Sequence, residues 1–409
     1  MTAVTEQRVF GLDLLRAVAI SLVVFTHTSP ILSQRLYKAS VFTGFLGVEL
    51  FFVLSGFLIG TILLKINARP GKFKFKEIRA FWVRRWFRTL PNYYLMFLVY
   101  ALVFYTSHHA DVFAHTRYLS YLAFLQNSFS YQPGEFFPVA WSLSIEEWFY
   151  LLFPLLLLLV SRLTHGTNAG SFVRTVLYIM VIELVLRLII SSCFNHYWDE
   201  GYRKLMPLRL DSIDIGVLAA CVKFYRPDFW EKHANLMSIC GLLILTGLSV
   251  YLYLNYINFS DPEYADHQIK TGQFLNTGFF TLAGVSIALM MPAVYSIKWK
   301  LGLVTRAATL MSKISYSMYL THFLIVLVML HVFKRYATTW YTNAVLFAAV
   351  WALTVAVSWV QYQYFELRMI RLRNKFNPAQ AAIKVNEPVD VPVYKLDYMS
   401  ETNFVNDAV

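Results

Sequence analysis

This chain is poor in charge, in cysteine and in the glycine-centred loops of soluble enzymes. Only 15% of its 409 residues are Asp, Glu, Lys or Arg, where soluble chains carry about 25%. So little charge leaves no place for a large soluble domain. The three cysteines, Cys193, Cys221 and Cys240, form no C-x-x-C pair and lie in or beside apolar runs. That speaks against a disulfide framework and leaves them as small buried hydrophobes. There is no G-x-x-x-x-G-K-[ST], no G-x-S-x-G and no H-E-x-x-H, so ATP-driven pumping, soluble hydrolase chemistry and zinc catalysis have no support and no metal is expected. The first apolar run lacks a small-x-small cleavage site and carries Asp13, Arg16 and His27, so it reads as an uncleaved span. No internal repeat is visible, which weighs against transporters built on inverted repeats.

What the chain has is apolar length. It is 57% hydrophobic, with a mean hydropathy of +0.50. A bilayer span needs ~20 mostly apolar residues. Such spans are expected at 10–30, 42–64, 91–107, 138–160, 174–194, 207–224, 236–255, 274–296, 313–333 and 342–364, giving an all-α, polytopic bundle of about ten transmembrane helices around a polar interior pore. Segment 118–128 is too short to span and reads as a re-entrant or interfacial helix. Residues 1–376 form the membrane domain; the proline-containing, aperiodic stretch 377–409 reads as a disordered cytoplasmic tail.

The net charge of +12 raises nucleic-acid binding, but the basic residues sit in alternate loops, as membrane topology requires. Segment 65–88 holds Lys65, Arg69, Lys72, Lys74, Lys76, Arg79, Arg84, Arg85 and Arg88 and is therefore cytoplasmic. Alternation from there puts both termini in the cytoplasm, with about 25 Lys and Arg inside and 9 outside. No nucleic-acid partner is expected.

Charges inside spans are costly, roughly 2.5–3.5 kcal/mol or more each, and mark function. Arg16 and His27 lie on nearly one face of the first span, about 16 Å apart, with Asp13 near that face; the structural alternative is pairing with a neighbouring carboxylate. A neutral imidazole suits general-base work. Glu49, in G-V-E-L-F-F-V-L-S-G-F-L-I, lies at a similar depth, suited to orienting His27; Ser55-Gly56 read as close helix packing. Arg84, Arg85 and Arg88, in V-R-R-W-F-R-T-L-P, sit at the inner mouth and suit phosphate or anionic headgroups, with topogenic charge as the alternative. Glu146 and Glu147, in W-S-L-S-I-E-E-W, point to different faces, so at most one shares a site with His27. Trp141 and Trp148 also fit an aromatic belt. Arg209 and Asp211, in P-L-R-L-D-S-I-D-I-G, are two apart and do not face each other directly; Asp214 adds a third charge. His322, in S-Y-S-M-Y-L-T-H-F, is near mid-membrane, with a purely structural role as its alternative. Together these describe a polar route: an anion-gripping entrance inside, an acid/base cluster outside. A membrane enzyme fits this best. The alternative is a proton-coupled transporter or flippase of a polar or lipid-linked solute, with His27 and the carboxylates as relay.

Six motifs in order, L-D-L-L-R-A-V-A-I-S-L-V-V-F-T-H, G-V-E-L-F-F-V-L-S-G-F-L-I, R-R-W-F-R-T-L-P, W-S-L-S-I-E-E-W-F-Y-L-L-F-P, R-L-D-S-I-D-I-G and I-S-Y-S-M-Y-L-T-H, resemble the acyltransferase-3 family of integral-membrane O-acyltransferases. The resemblance implies transfer of an acyl group, most often acetyl, from acetyl-CoA or another acyl-CoA to a hydroxyl of an envelope sugar, a glycolipid or a small molecule. It gives His27 the catalytic role and Arg16 that of an essential arginine, ties Arg85 and Arg88 to the CoA donor, and matches Trp141, Ser142 and Glu146 to the family's W-S-L-x-x-E element. Glu49 or Glu146 is expected to orient His27; Trp141, Ser142, Arg209, Asp211 and His322 are expected to bind substrate. Membrane lipid is a further expected partner, and the bacterial inner membrane the expected location. The Glu-x-Pro that closes many members' last span is Glu366-Leu367-Arg368 here, so Glu366 receives no role. Segments 128–140 and 255–273 are expected to choose the acceptor.

Overall fold

A computed structural model describes residues 9–68, 74–106, 118–128, 136–163, 169–194, 198–254, 273–298 and 302–376. The expected tail 377–409, most of loop 255–273 and the middle of 128–140 lie outside the described residues. Among those described, regular structure is helical throughout. The long helices are α1 (Phe10–Leu32), α2 (Gln34–Asn67), α3 (Phe75–Thr106), α4 (Ala140–Leu163), α5 (Ala169–Cys193), α6 (Asp211–Tyr225), α7 (Ala234–Leu252), α8 (Gly278–Ser296), α9 (Gly302–Phe333) and α10 (Trp340–Gln361), followed by a short α11 (Leu367–Phe376). Among the described residues, eight apolar stretches are long enough to cross a bilayer: α1, α2, α4, α5, α7, α8, α9 and Trp340–Arg373. The chain is a multi-pass membrane protein.

The two other expected spans differ for physical reasons. Helix α3 begins at Phe75 rather than near residue 91; its first turns carry Arg79, Arg84, Arg85 and Arg88, which hydropathy alone reads as loop. Helix α6 has 15 residues, about 22 Å of rise, shorter than a ~30 Å hydrocarbon core. Its residues from Asp211 to Val217 are buried by neighbouring helices, so protein rather than lipid surrounds it. Segment 118–128 forms one helical turn, Leu119–Leu122, and then tight turns.

Helices α1 and α2 form a hairpin with Ser33 alone between them. Ser33 is extended (φ −168°, ψ 153°), and its hydroxyl accepts from the Leu36 N–H at 3.1 Å, capping α2. Near this hinge Thr26 donates to Ser40 O (2.7 Å) and shares a hydrogen bond with Thr43 (2.9 Å), while Ser29 and Ser40 meet at 2.7 Å. Small residues allow the close approach, as is usual between membrane helices. Helices α2 and α6 cross in backbone contact: a Cβ on Gly56 would lie 1.8 Å from Ile213 O, and one on Gly216 2.1 Å from Val53 O. Helix α1 also packs on α9, and α9 on α10. Helices α5 and α7 turn Leu177, Val181, Ile182, Leu242 and Leu243 outward, as lipid contact requires. Cys221 is buried, but Cys193 and Cys240 are exposed on helix surfaces, a correction to their expected burial; an apolar thiol is as well placed against lipid as in a core.

Candidate active site

The α1–α2 hinge places His27 six residues before Ser33, and the packing of α1 on α9 brings His322 to it. His27 Nδ1 lies 3.0 Å from Val23 O and 3.2 Å from His322 Nε2; His322 Nδ1 lies 2.9 Å from Met318 O. A carbonyl oxygen only accepts, so each Nδ1 carries a hydrogen, a tautomer assigned from its partners. His322 Nε2 is then an acceptor, and the His27 Nδ1–H is shared between it and Val23 O. His27 Nε2 keeps its lone pair. The ring centroids are 5.0 Å apart, and Phe323 stands edge-on to His27 at 5.4 Å. His322 is fully buried and His27 half-buried.

Below the pair, Tyr319, one turn before His322, donates to Val139 O at 3.2 Å and shares a short hydrogen bond with Ser142. Ser142 opens α4, so the W-S-L-S-I-E-E segment reaches the histidines through Tyr319. Trp141 is buried against the edge of Phe52 and carries the Arg203 guanidinium 4.7 Å from its ring centroid. This is an interior position, not an aromatic belt.

The carboxylates do not orient His27, contrary to expectation. Glu146 accepts from Ser55 (3.1 Å), Tyr150 (2.5 Å) and Arg85 (3.4 Å). Arg85 also donates to the Tyr150 hydroxyl and lies 4.2 Å from that ring. Arg85 is therefore tied into the helix interface by Glu146 and Tyr150. Arg88, one turn further along α3, is exposed and has no hydrogen bond or ion pair among the described residues. Ser55 serves Glu146, while its neighbour Gly56 makes the close helix contact.

Glu49 belongs to a separate buried network. It pairs with Arg209 and accepts from Ser212 at 2.5 Å. Arg209 also donates to Arg203 O at 3.1 Å, and its Nε lies 3.9 Å from Asp211. Arg209 and Asp211 thus do meet, against the helical-spacing expectation, because Arg209 (φ −136°, ψ 17°) precedes the first turn of α6. Asp211 in turn pairs with Arg187 at 2.9 Å and accepts from Thr281 at 2.8 Å. Glu183 accepts from the Leu210 N–H at 2.7 Å. Burying one charge is prohibitive unless it is paired and hydrogen-bonded; the Glu49–Arg209 and Asp211–Arg187 pairs meet that need, whereas both carboxylate oxygens of the buried Asp214 are without a hydrogen-bond partner among the described residues. Arg16, half-buried, lies 3.9 Å from Asp13, which accepts from Ser312 of α9 at 2.7 Å.

Sequence reasoning missed three things. Arg187 was visible as a lone arginine in its span, but its partner was not. Arg203 lay in a loop. Glu366 lacked its proline, yet a π-helical turn, Tyr362–Glu366, buries it, and it accepts from Ser317 (2.8 Å) and Asn92 (3.2 Å). Among the described residues, no three His, Cys, Asp or Glu side chains converge as a metal site.

Comparison with known proteins fits this arrangement. The acyltransferase-3 family model, described as an acyltransferase domain, matches residues 9–362. The O-acetyltransferase OatA of Staphylococcus aureus (strain NCTC 8325 / PS 47) is 28% identical over 334 residues, covering 77% of this chain and 50% of OatA. A putative O-acetyltransferase of Staphylococcus aureus (strain COL) is 26% identical over 329 residues, covering 77% of this chain and 50% of that protein. The chain spans about half the length of these curated relatives. No solved structure matches.

Proposed function

Because the chain belongs to the acyltransferase-3 family, we propose that it is a membrane O-acetyltransferase that moves an acyl group from acetyl-CoA or another acyl-CoA to a hydroxyl of an envelope sugar, glycolipid or similar acceptor. The observation that carries the mechanism is the fixed tautomer of the His27–His322 pair. His27 Nε2 is the one imidazole nitrogen of the pair free to take a proton. It removes the acceptor's hydroxyl proton as that oxygen attacks the thioester carbonyl. The C–S bond breaks, the CoA thiolate leaves, and the imidazolium returns the proton to it, giving the ester and free CoA. General-base assistance of this kind is worth about 10²–10⁴ in rate. His322 keeps the His27 ring oriented and accepts from it as positive charge develops.

The donor enters from the cytoplasmic face, where both termini and the basic start of α3 lie. Arg88 takes the CoA phosphates; Arg85, one turn nearer the start of α3 and held by Glu146 and Tyr150, lines the wall beside them, and Arg16 guards the inner end of α1. The acceptor approaches from the opposite face, over Trp141 and Ser142, with Glu49, Arg209 and Asp211 holding that wall in place. The membrane domain comprises residues 1–376, with 377–409 as a tail in the cytoplasm, and the bacterial inner membrane is its location.

The test is release of free CoA from acetyl-CoA by purified protein, with acceptor acetylation followed by mass spectrometry. Wild type should release CoA, and His27→Ala, folded in membranes, should lose at least a hundredfold of that rate. Undiminished transfer by His27→Ala removes the assigned base. Absence of CoA release together with proton-linked uptake in vesicles replaces the enzyme with a transporter.

A further inference from the structure

Beside the histidine pair the structure gathers a second set of groups to which the scheme above gives no role. A π-helical turn, Trp198–Arg203, carries Asp199 and Arg203, with Lys204 next in the chain. Arg203 Nε and Lys204 Nζ both hold the Asp199 carboxylate, one oxygen each. The cations are nearly buried, at 15% and 16% side-chain exposure, while Asp199 is 44% exposed. Arg203 also lies over Trp141. Asn127 ties these parts together: its Nδ2 donates to Trp141 O (3.0 Å) and Lys204 O (2.6 Å), and its backbone O accepts from the Met206 N–H at 2.9 Å. The buried Glu49–Arg209 pair props the turn from behind through Arg203 O. The turn adjoins the histidine pair through Trp141 and its neighbour Ser142, which bonds Tyr319, whose ring lies 6.0 Å from that of His322.

Three polar atoms on consecutive residues here are buried and have no protein partner: Gln126 Oε1, Asn127 Oδ1 and Ser128 Oγ. Orphaned acceptors of this kind are filled by water or by a ligand's hydroxyls. Two cations and a row of vacant acceptors are the recognition chemistry of a sugar that carries an anion: hydroxyls donate, and a carboxylate takes charge-assisted bonds from Arg and Lys, while the buried Trp141 ring backs Arg203. The one carboxylate now in that grip is the chain's own, on the most exposed member of the cluster.

We propose that Arg203 and Lys204, with Trp141 and residues 126–128, form the acceptor subsite and select a carboxylated sugar, whose acid group displaces Asp199 from the two cations. This rests on the O-acyl transfer proposed above for the reason to bind a sugar, but it is tested by binding alone. The full chain, purified in detergent, is titrated with methyl β-D-glucuronide and with methyl β-D-glucoside, which differ only in the acid group. The glucuronide should bind about ten- to hundredfold more tightly, the usual margin for hydrogen bonds to a charged group. Arg203→Gln should erase that margin. Asp199→Asn should widen it, because the competing carboxylate is gone; a merely structural Asp199 would lower the affinity instead. Equal affinity for the two sugars, or a margin narrowed by Asp199→Asn, overturns the subsite. CoA release from acetyl-CoA on the same preparations separates the two ideas. If it persists while the sugars bind alike, the subsite falls and acyl transfer stands. If the sugars are discriminated and no CoA appears, acyl transfer falls and the subsite stands.

Discussion

Glu49 and Arg209 stand 160 residues apart in the chain and meet as an ion pair with side chains 1% and 0% exposed. The pair joins α2 to the turn before α6, the same two segments that Gly56 and Gly216 bring into backbone contact. Removing one member of a buried pair strands the other charge and costs about 3–5 kcal/mol, whereas replacing both by apolar groups of similar size is often neutral. Glu49→Gln should therefore lower the thermal midpoint in detergent sharply, and Glu49→Leu combined with Arg209→Met should recover much of that loss. A Glu49→Gln protein as stable as wild type would show that the pair contributes no net stability.

His322 is expected to act on His27 rather than on substrate. Its Nε2 accepts from His27 at 3.2 Å, and replacement by Phe keeps the buried ring volume while deleting that acceptor. His322→Phe should reduce kcat by about 10–100-fold, a share of the 10²–10⁴ assigned to general-base help, and leave the KM for both substrates near wild type. If KM for the acceptor rises and kcat holds, His322 is a substrate-binding residue after all.

How far the sequence reveals this site depends on the scale of each interaction. Apolar length marks α1, α2, α4, α5 and α7–α10, although α2 begins eight and α9 eleven residues before their expected starts, where Arg35, Lys38, Arg306 and Lys313 depress hydropathy. Helix α3 begins sixteen residues before its expected start because Arg79, Arg84, Arg85 and Arg88 depress hydropathy, although arginine is a good helix former. With those residues helical, Arg85 packs into the interface with α4 and meets Glu146. Mid-span charge singled out His27, Glu49, Glu146, Arg209, Asp211 and His322. It could not say who partners whom, because His27 and His322 lie 295 residues apart. Two carboxylates at the right depth drew the eye as partners for His27, yet each was already committed to an arginine. Arg203 and Lys204 were hidden for the opposite reason: in a loop, a basic residue has a topogenic explanation, and nothing local marks it as facing inward.

The α2–α6 crossing offers a packing test. The 1.8 Å between a Cβ on Gly56 and Ile213 O is a clash with backbone, which no rotamer relieves. Gly56→Ala must push the helices apart, and overpacking typically costs 1–3 kcal/mol. It should lower the thermal midpoint and, by dragging Arg209 from Glu49, reduce folded yield. Gly247→Ala on α7, where nothing lies within 4 Å of the added carbon, is the matched control. It should leave stability unchanged or raise it by up to about 1 kcal/mol through helix propensity. Equal effects at the two positions would mean the α2–α6 contact is looser than its geometry states.

Arg88 and Arg85 should separate in kinetics. Arg88 is exposed and without an ion pair among the described residues, so as a phosphate ligand it acts on binding, and its attraction weakens with salt over a Debye length of about 8–10 Å. Arg88→Gln should raise KM for acetyl-CoA several-fold at low ionic strength, lose most of that difference near 0.5 M salt, and leave kcat almost unchanged. Arg85 is held by Glu146 and Tyr150 in the interior, where ionic strength barely reaches. Arg85→Gln leaves the Glu146 carboxylate without its cation, so it should lower both kcat and stability, with little dependence on salt. Steady-state kinetics at two salt concentrations, alongside thermal unfolding, reads all of these. Matching salt-dependent KM effects in both variants would make Arg85 as open to solvent as Arg88 and detach it from Glu146 in the working protein.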